Sequence, residues 1–386
     1  MSVPRLPIRL TPELHSLAPD VPDGVFTDEF PAACERLDRF VGALVLELAA
    51  RLDLAGRTLP ELARLRELRG WSSDGDAPLL WLLETLELYG HARRSASGWD
   101  VADAAAPSPS SELRDEAVRL VPASEPAYRI LDLCAQALPA VLRGELRGED
   151  ALFGPSTLGL WFDYFSNQNP HYALNNAIAA AALSRAVGPG ARVMEVGGGG
   201  GSAALAAFAR LAAEGRTPSS YLFTEVHPAF LRRGTRSAQG AAPAGCDFES
   251  RRYDINLSPD EQGVSGRTFD AILAVNTLHL ADDLVLALRR LRALLAPGGA
   301  VVLGELVRPN PTACVHLELP FCLLEAYRRP PSEDRIRLRP GFLAWDGWRM
   351  AFDAAGYSDV RLLPADLSRC VEAYPGFYCA AITARG

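Results

Sequence analysis

The sequence predicts a mixed α/β chain: an open, mostly parallel sheet flanked by helices, preceded by a mainly helical region. Three observations predict it. Residues 191–203, Ala-Arg-Val-Met-Glu-Val-Gly-Gly-Gly-Gly-Gly-Ser-Ala, read as a buried strand, a glycine turn and the start of an Ala/Leu-rich helix running to Ala213. Strand, glycine turn and helix in that order open a nucleotide-binding sheet; the bland alternative is a flexible glycine tract. From Ala191 onward short apolar runs alternate with helical patterns, as in a βαβ array. Before about residue 105 apolar residues recur mainly at helical spacing.

Composition narrows the class. A chain of 386 residues has room for two or three domains,, read here as 1–105, 106–185 and 186–386. The formal charge of −8 argues against a general nucleic-acid binder, which carries a basic face. No apolar run reaches the roughly 20 residues needed to cross a membrane, and the first residues lack the apolar stretch of a signal peptide. A cytoplasmic chain is the expectation. The seven cysteines are scattered with no Cys-x-x-Cys pair, so they read as small buried hydrophobes and no metal site is expected. All 39 basic residues are arginine, which excludes a Schiff-base lysine and a P-loop lysine.

In chain order, residues 1 to about 30 are Pro-rich and read as an irregular arm. Pro31 to about Leu54 is an amphipathic helix or a face for a second copy of the chain. Thr58–Arg69 reads as a helix with Pro60 near its start, and Pro78–Gly90 as a helix closed by its glycine. His91–Val101, with Gly98-Trp99, reads as a short β wing. Ala104–Ser111 is a linker by composition, Ser111 a helix cap with Asp115 in the first turn, and helices follow over 127–146. The aromatic and amide-rich stretch 161–177 offers Tyr164, Asn169, His171, Tyr172 and Asn176 either as a lid or as core residues of a connecting helix. Further strands are expected at Tyr221–Glu225, Phe248–Ile255, Phe269–Asn276, Ala300–Leu303, Val360–Leu363 and Phe377–Thr383. Leu284–Leu295 and Trp345–Ala355 are helices, and Val307–Pro340 is a Pro/Arg-rich insertion at the substrate mouth.

The chemistry-bearing residues fall at strand ends, where such sheets bind ligands. Gly197, Gly199 and Gly201 let a ligand approach the backbone. Glu195 stands just before them. Glu225 lies 24 positions past Gly201, at about the place where an acid accepts from ribose hydroxyls; the alternative is a helix-capping acid. Asp254-Ile255 would sit at an adenine. His279 and Glu305 follow the fourth and fifth strands, which are neighbours. A carboxylate on one imidazole nitrogen fixes the tautomer and leaves the other free to take a proton; the alternative for His279 is a structural role. His227 reads as a surface or lid residue.

The acid and glycines resemble the first motif of class I S-adenosyl-L-methionine (SAM)-dependent methyltransferases, which implies a Rossmann-like sheet and SAM as cofactor. More specifically, Tyr221–Leu231, Asp254–Gly263 with Gln262-Gly263, Phe269–Leu280, Leu294–Gly299 and Glu305 resemble the C-methyltransferase domains of polyketide synthases over about residues 190–385. That resemblance implies a His279/Glu305 dyad that deprotonates the α-carbon of a β-ketoacyl thioester on an acyl carrier protein. It also implies a substrate-site role for Asn276, which would serve the methionine moiety or a substrate carbonyl. The five glycines depart from that family's Gly-Ala-Gly-Thr-Gly loop. The first 180 residues resemble instead the winged-helix dimerisation region of small-molecule O-methyltransferases, which implies a homodimer and a hydroxyl acceptor with the same histidine as base. A non-catalytic SAM-fold regulator is the third reading; the intact acids, glycines and histidine favour an enzyme.

Overall fold

The computed structural model describes residues 11–27, 29–154, 156–311, 313, 315–328, 336–374 and 376–386. Part of the expected Pro-rich arm, residues 1–10, and residues 329–335 of the insertion lie outside them. Where the arm is described it contains a helix, Thr11–Leu17. The next helix, Glu29–Arg51, buries the stripe of Leu37, Phe40, Val41, Leu44 and Leu48, as its periodicity predicts.

Thr58–Pro60 is a strand (β1), not the first turn of a helix. It is the edge of a small antiparallel sheet with Ala92–Ser95 (β2) and Gly98–Val101 (β3) in the order β1-β3-β2. Leu59 is buried opposite Trp99. Proline is tolerated on such an edge because its missing N–H faces no partner strand. The helix waits until Leu62–Arg69. The helix Asp76–Leu88 precedes the β2–β3 pair. The linker ends at the helix Ser110–Leu120, one residue earlier than its expected cap Ser111. An acid from a distant helix does the capping: the backbone N–H and Oγ of Ser110 donate to Glu47 (2.7 and 2.6 Å). Glu112, not Asp115, occupies the first turn.

The main sheet begins at Arg192–Val196 (β4) and continues with Ser220–Thr224 (β5), Asp247–Arg251 (β6), Phe269–Val275 (β7), Leu295–Leu306 (β8), Ser358–Leu363 (β9) and Cys379–Arg385 (β10). Its order is β6-β5-β4-β7-β8-β10-β9. Strands β4 to β8 pair in parallel, and β10 lies antiparallel between β8 and β9. The order reverses at β4, so a crevice opens at its carboxyl end.

Among the strands of the main sheet, two boundaries depart most from expectation. β6 stops at Arg251, short of Ile255, because the following turn is held by other contacts described below. β8 starts at Leu295 and takes in Pro297-Gly298-Gly299 as an irregularity rather than a turn. A Cβ on Gly299 would stand 2.9 Å from the Ala296 carbonyl and 3.0 Å from that of Phe269.

The buried residues form one continuous cluster from Leu14 to Ala384. The alanine-rich helix Pro170–Ala186 crosses close to the sheet: a Cβ on Gly304 would come within 2.8 Å of Ala179. Among the described residues no helix is long and apolar enough to cross a membrane.

Candidate active site

β4 leads straight into the glycine bend. Gly197, Gly199 and Gly201 all take positive φ (+68°, +54°, +90°), the left-handed region that side chains resist. A Cβ on Gly197 would strike Thr277 at 2.4 Å, whereas one on Gly199 would meet nothing within 4 Å. The bend is therefore packed on one side and open at its crest. Gly201 begins the helix Ser202–Ala213.

The five-glycine run now has a local explanation. A Cβ on Gly198 would fall 2.2 Å from the ring of Phe223, so this aromatic on β5 fills the space an alanine would take. Sequence reasoning overlooked Gly234, in the middle of the helix Pro228–Ala241. There a Cβ would lie 2.3 Å from the Gly199 carbonyl and 2.5 Å from Phe223. Its only sequence signal is a lone glycine inside a helical run.

Glu225 follows β5 and turns back to the bend. Oε2 accepts from the Gly199 N–H (3.0 Å) and Oε1 from the His227 N–H (2.8 Å), just ahead of the helix at Pro228. The carboxylate thus ties the residue just before that helix to the glycine bend. His227 itself is exposed, its ring edge-on to Phe230.

Glu195 is buried under the bend and accepts from Tyr221 Oη (2.8 Å). Burial, reinforced by the charge of Glu225, pushes its carboxyl up to about 7. Because folding raises this pKa from 4.5, the folded chain binds the proton more tightly. The associated stabilisation is complete below about pH 4.5 and fades as pH rises through about 7. Glu195→Gln is expected to flatten that decline. It should stabilise the chain by about 1–3 kcal/mol near pH 8 and change little near pH 5, as read by denaturant unfolding at both pH values.

Asp254 and Ile255 sit in the turn after β6. Gln262 clamps this turn: its Oε1 accepts from the Asp254 N–H (2.6 Å) and its Nε2 donates to the Asp254 carbonyl (2.9 Å). The side-chain amide thus replaces a strand partner at both polar groups of one residue.

At the ends of β7 and β8 the structure brings His279 and Glu305 together. Nδ1 lies 2.7 Å from Glu305 Oε2, with side-chain exposures of 4% and 0%. Glu305 Oε1 accepts from the backbone N–H groups of Thr277 (3.2 Å) and Leu278 (3.1 Å). Glu305 thus holds two backbone donors with one oxygen and presents the other to Nδ1. It selects the tautomer with the proton on Nδ1 and leaves Nε2 as the acceptor. The ring of Phe342 packs 4.5 Å from the imidazole centroid and that of Tyr327 at 5.9 Å.

Asn276 has φ +49°, a conformation asparagine tolerates better than most residues. Its backbone N–H donates to the Gly304 carbonyl (2.7 Å) and its Oδ1 accepts from the Leu306 N–H (3.2 Å). Burial pushes up the phenol of Tyr172, and the neighbouring Asn276 side chain opposes that shift. Of the five lid candidates, Tyr172 is the one whose phenol Asn276 influences. Asn176 instead holds Asn167 and Ser202 beside the bend (2.7 and 3.1 Å), Asn169 caps its own helix, and Tyr164 and His171 are buried. Among the described residues no three His, Cys, Asp or Glu side chains come together as a metal site.

Residues 194–301 match the family described as a methyltransferase domain. The polyketide synthase ThaQ of Burkholderia thailandensis is 29% identical over 307 residues, which cover 74% of this chain and 14% of ThaQ; the chain therefore spans a small part of that relative. The crystal structure of the DszA carbon methyltransferase superposes with a TM-score of 0.73 at 23% identity, covering 99% of this chain and 98% of that one. The trans-methyltransferase CalH, solved in complex with SAH, gives 0.60 at 20% identity over 92% and 91%. The fold likeness thus runs the length of the chain, beyond residues 190–385 on which the sequence resemblance rests.

Proposed function

From the premise that residues 194–301 form a SAM-dependent methyltransferase domain, we propose that the chain methylates the α-carbon of a β-ketoacyl thioester carried by an acyl carrier protein. The observation that carries this reading is the buried His279–Glu305 contact at the ends of adjacent strands. Its support from the comparisons is that ThaQ is a polyketide synthase and DszA a carbon methyltransferase.

The bend fits the donor. Its crest at Gly199 opens onto space, and the Glu225 carboxylate stands at its rim. Gly197, Gly199 and Gly201 would hold SAM at the bend with Glu195 beneath them. Glu225 would take the ribose, and Asp254 and Ile255 the adenine. When bound, SAM supplies an electrophilic methyl group on a sulfonium sulfur.

The remaining work is positioning and the removal of one proton. Glu305 holds the Nδ1 proton, so Nε2 takes the α-proton of the thioester and its C–H electron pair becomes the nucleophile. The buried carboxylate then stabilises the imidazolium. The tyrosine hydroxyl of Tyr172 and the amide of Asn276 donate to the β-keto oxygen as charge develops there. The proton leaves the imidazole for solvent after transfer.

The test offers SAM together with acetoacetyl-pantetheine or a simple phenol, and locates the added methyl by mass spectrometry and NMR. A methyl on the α-carbon is expected. Methyl on oxygen alone, or on neither acceptor, overturns the reading.

A further inference from the structure

Two buried arginines of the insertion act around His279, one through the rings packed on it and one through its backbone. Arg308 accounts for the ring side. Its guanidinium donates to the Phe342 carbonyl (2.6 Å) and the Ala313 carbonyl (2.6 Å), and pairs with Glu318, which also accepts from Tyr327 Oη. This pins the two rings that pack on the imidazole.

Arg337 accounts for the backbone. It is 5% exposed. Its Nη1 donates to the carbonyl of His279 (3.1 Å), and its Nη2 to those of Ala281 (2.6 Å) and Asp282 (3.4 Å). His279 lies in the single turn Leu278–Leu280, whose trailing carbonyls have no further turn to serve them. The N–H that could close on the His279 carbonyl, that of Asp282, is engaged by Asn256 Oδ1 instead (2.9 Å). A fork of fixed donors fits three carbonyls of one turn; a point charge does not.

We infer that Arg337 is a positioning residue for the histidine base: by holding three carbonyls of the 279–282 turn, it aims the imidazole at Glu305 and at the substrate. The inference rests on the reading of His279 as base. It gives the insertion, which the sequence places at the substrate mouth, a further role in setting the base.

The test compares wild type, Arg337→Ala, Arg337→Lys and His279→Ala on acetoacetyl-pantetheine. Readouts are kcat, KM, SAM affinity by calorimetry, and thermal melting. For Arg337→Ala, kcat should fall about 10- to 100-fold, the scale of a small misplacement of a catalytic group. KM for SAM should stay within about twofold. Added guanidinium at low millimolar concentration should restore several-fold of the lost kcat, and Arg337→Lys should recover little. Unchanged kcat in both Arg337 variants while His279→Ala is inactive overturns the positioning role. So does a loss that follows the unfolded fraction and is not relieved by guanidinium. Full activity of His279→Ala would instead remove the base assignment itself.

Discussion

Replacing His279 with alanine is expected to lower turnover by about 10²- to 10⁴-fold, the usual contribution of a general base, while leaving SAM affinity within about twofold. The separation follows from the geometry. The glycine bend and Glu225 lie after β4 and β5, and the imidazole after β7, held by Glu305, Phe342 and Tyr327. None of the donor-side contacts passes through His279. Calorimetric titration with SAM and single-turnover assays on the same preparation check both halves. Turnover near the wild-type rate would mean that another group takes the proton.

Glu305→Gln should cost a comparable factor, by a different route. Glutamine keeps the shape, and its carbonyl oxygen can still accept from the Thr277 and Leu278 N–H groups. Its NH₂ would then face Nδ1 and donate to it, so the imidazole proton would move to Nε2. That tautomer cannot take a proton from substrate, and the stabilised imidazolium is lost as well. A fall of about 10²- to 10⁴-fold in kcat is expected, with little change in melting temperature. Glu305→Ala is the contrasting variant: it leaves buried donors without a partner and should destabilise by about 1–3 kcal/mol or more. Equal kcat in wild type and Glu305→Gln would show that the carboxylate does not set the tautomer.

Much of this site was legible in the sequence because it depends on strand ends. Once Val193-Met194, Tyr221–Glu225 and Phe269–Asn276 read as strands, the residues at their ends had to gather at one edge. The pairing of His279 with Glu305 follows from β7 and β8 being neighbours. The errors lie where a local signal has two meanings. Pro60 marks a helix start in sequence, yet here it closes an edge strand because Leu59 is needed opposite Trp99. Ser111 looks like a cap, but Glu47 supplies the capping oxygens from another helix. Gly234, Arg337 and the grip of Gln262 on Asp254 were not readable as such, since each acts on a partner that only the folded chain supplies. Gln262 and Gly263 stood out in the sequence through resemblance alone; the structure gives the glutamine a physical task.

The glycine bend also leaves one opening for chemistry that the fold does not itself use. Gly200 is the member of the run that is neither in the left-handed region nor jammed: a Cβ there would meet only the edge of Phe162, at 3.6 Å. A cysteine at that position would carry a spectroscopic reporter to the bend proposed to hold the donor, where it could register occupancy directly, without waiting for a product to form.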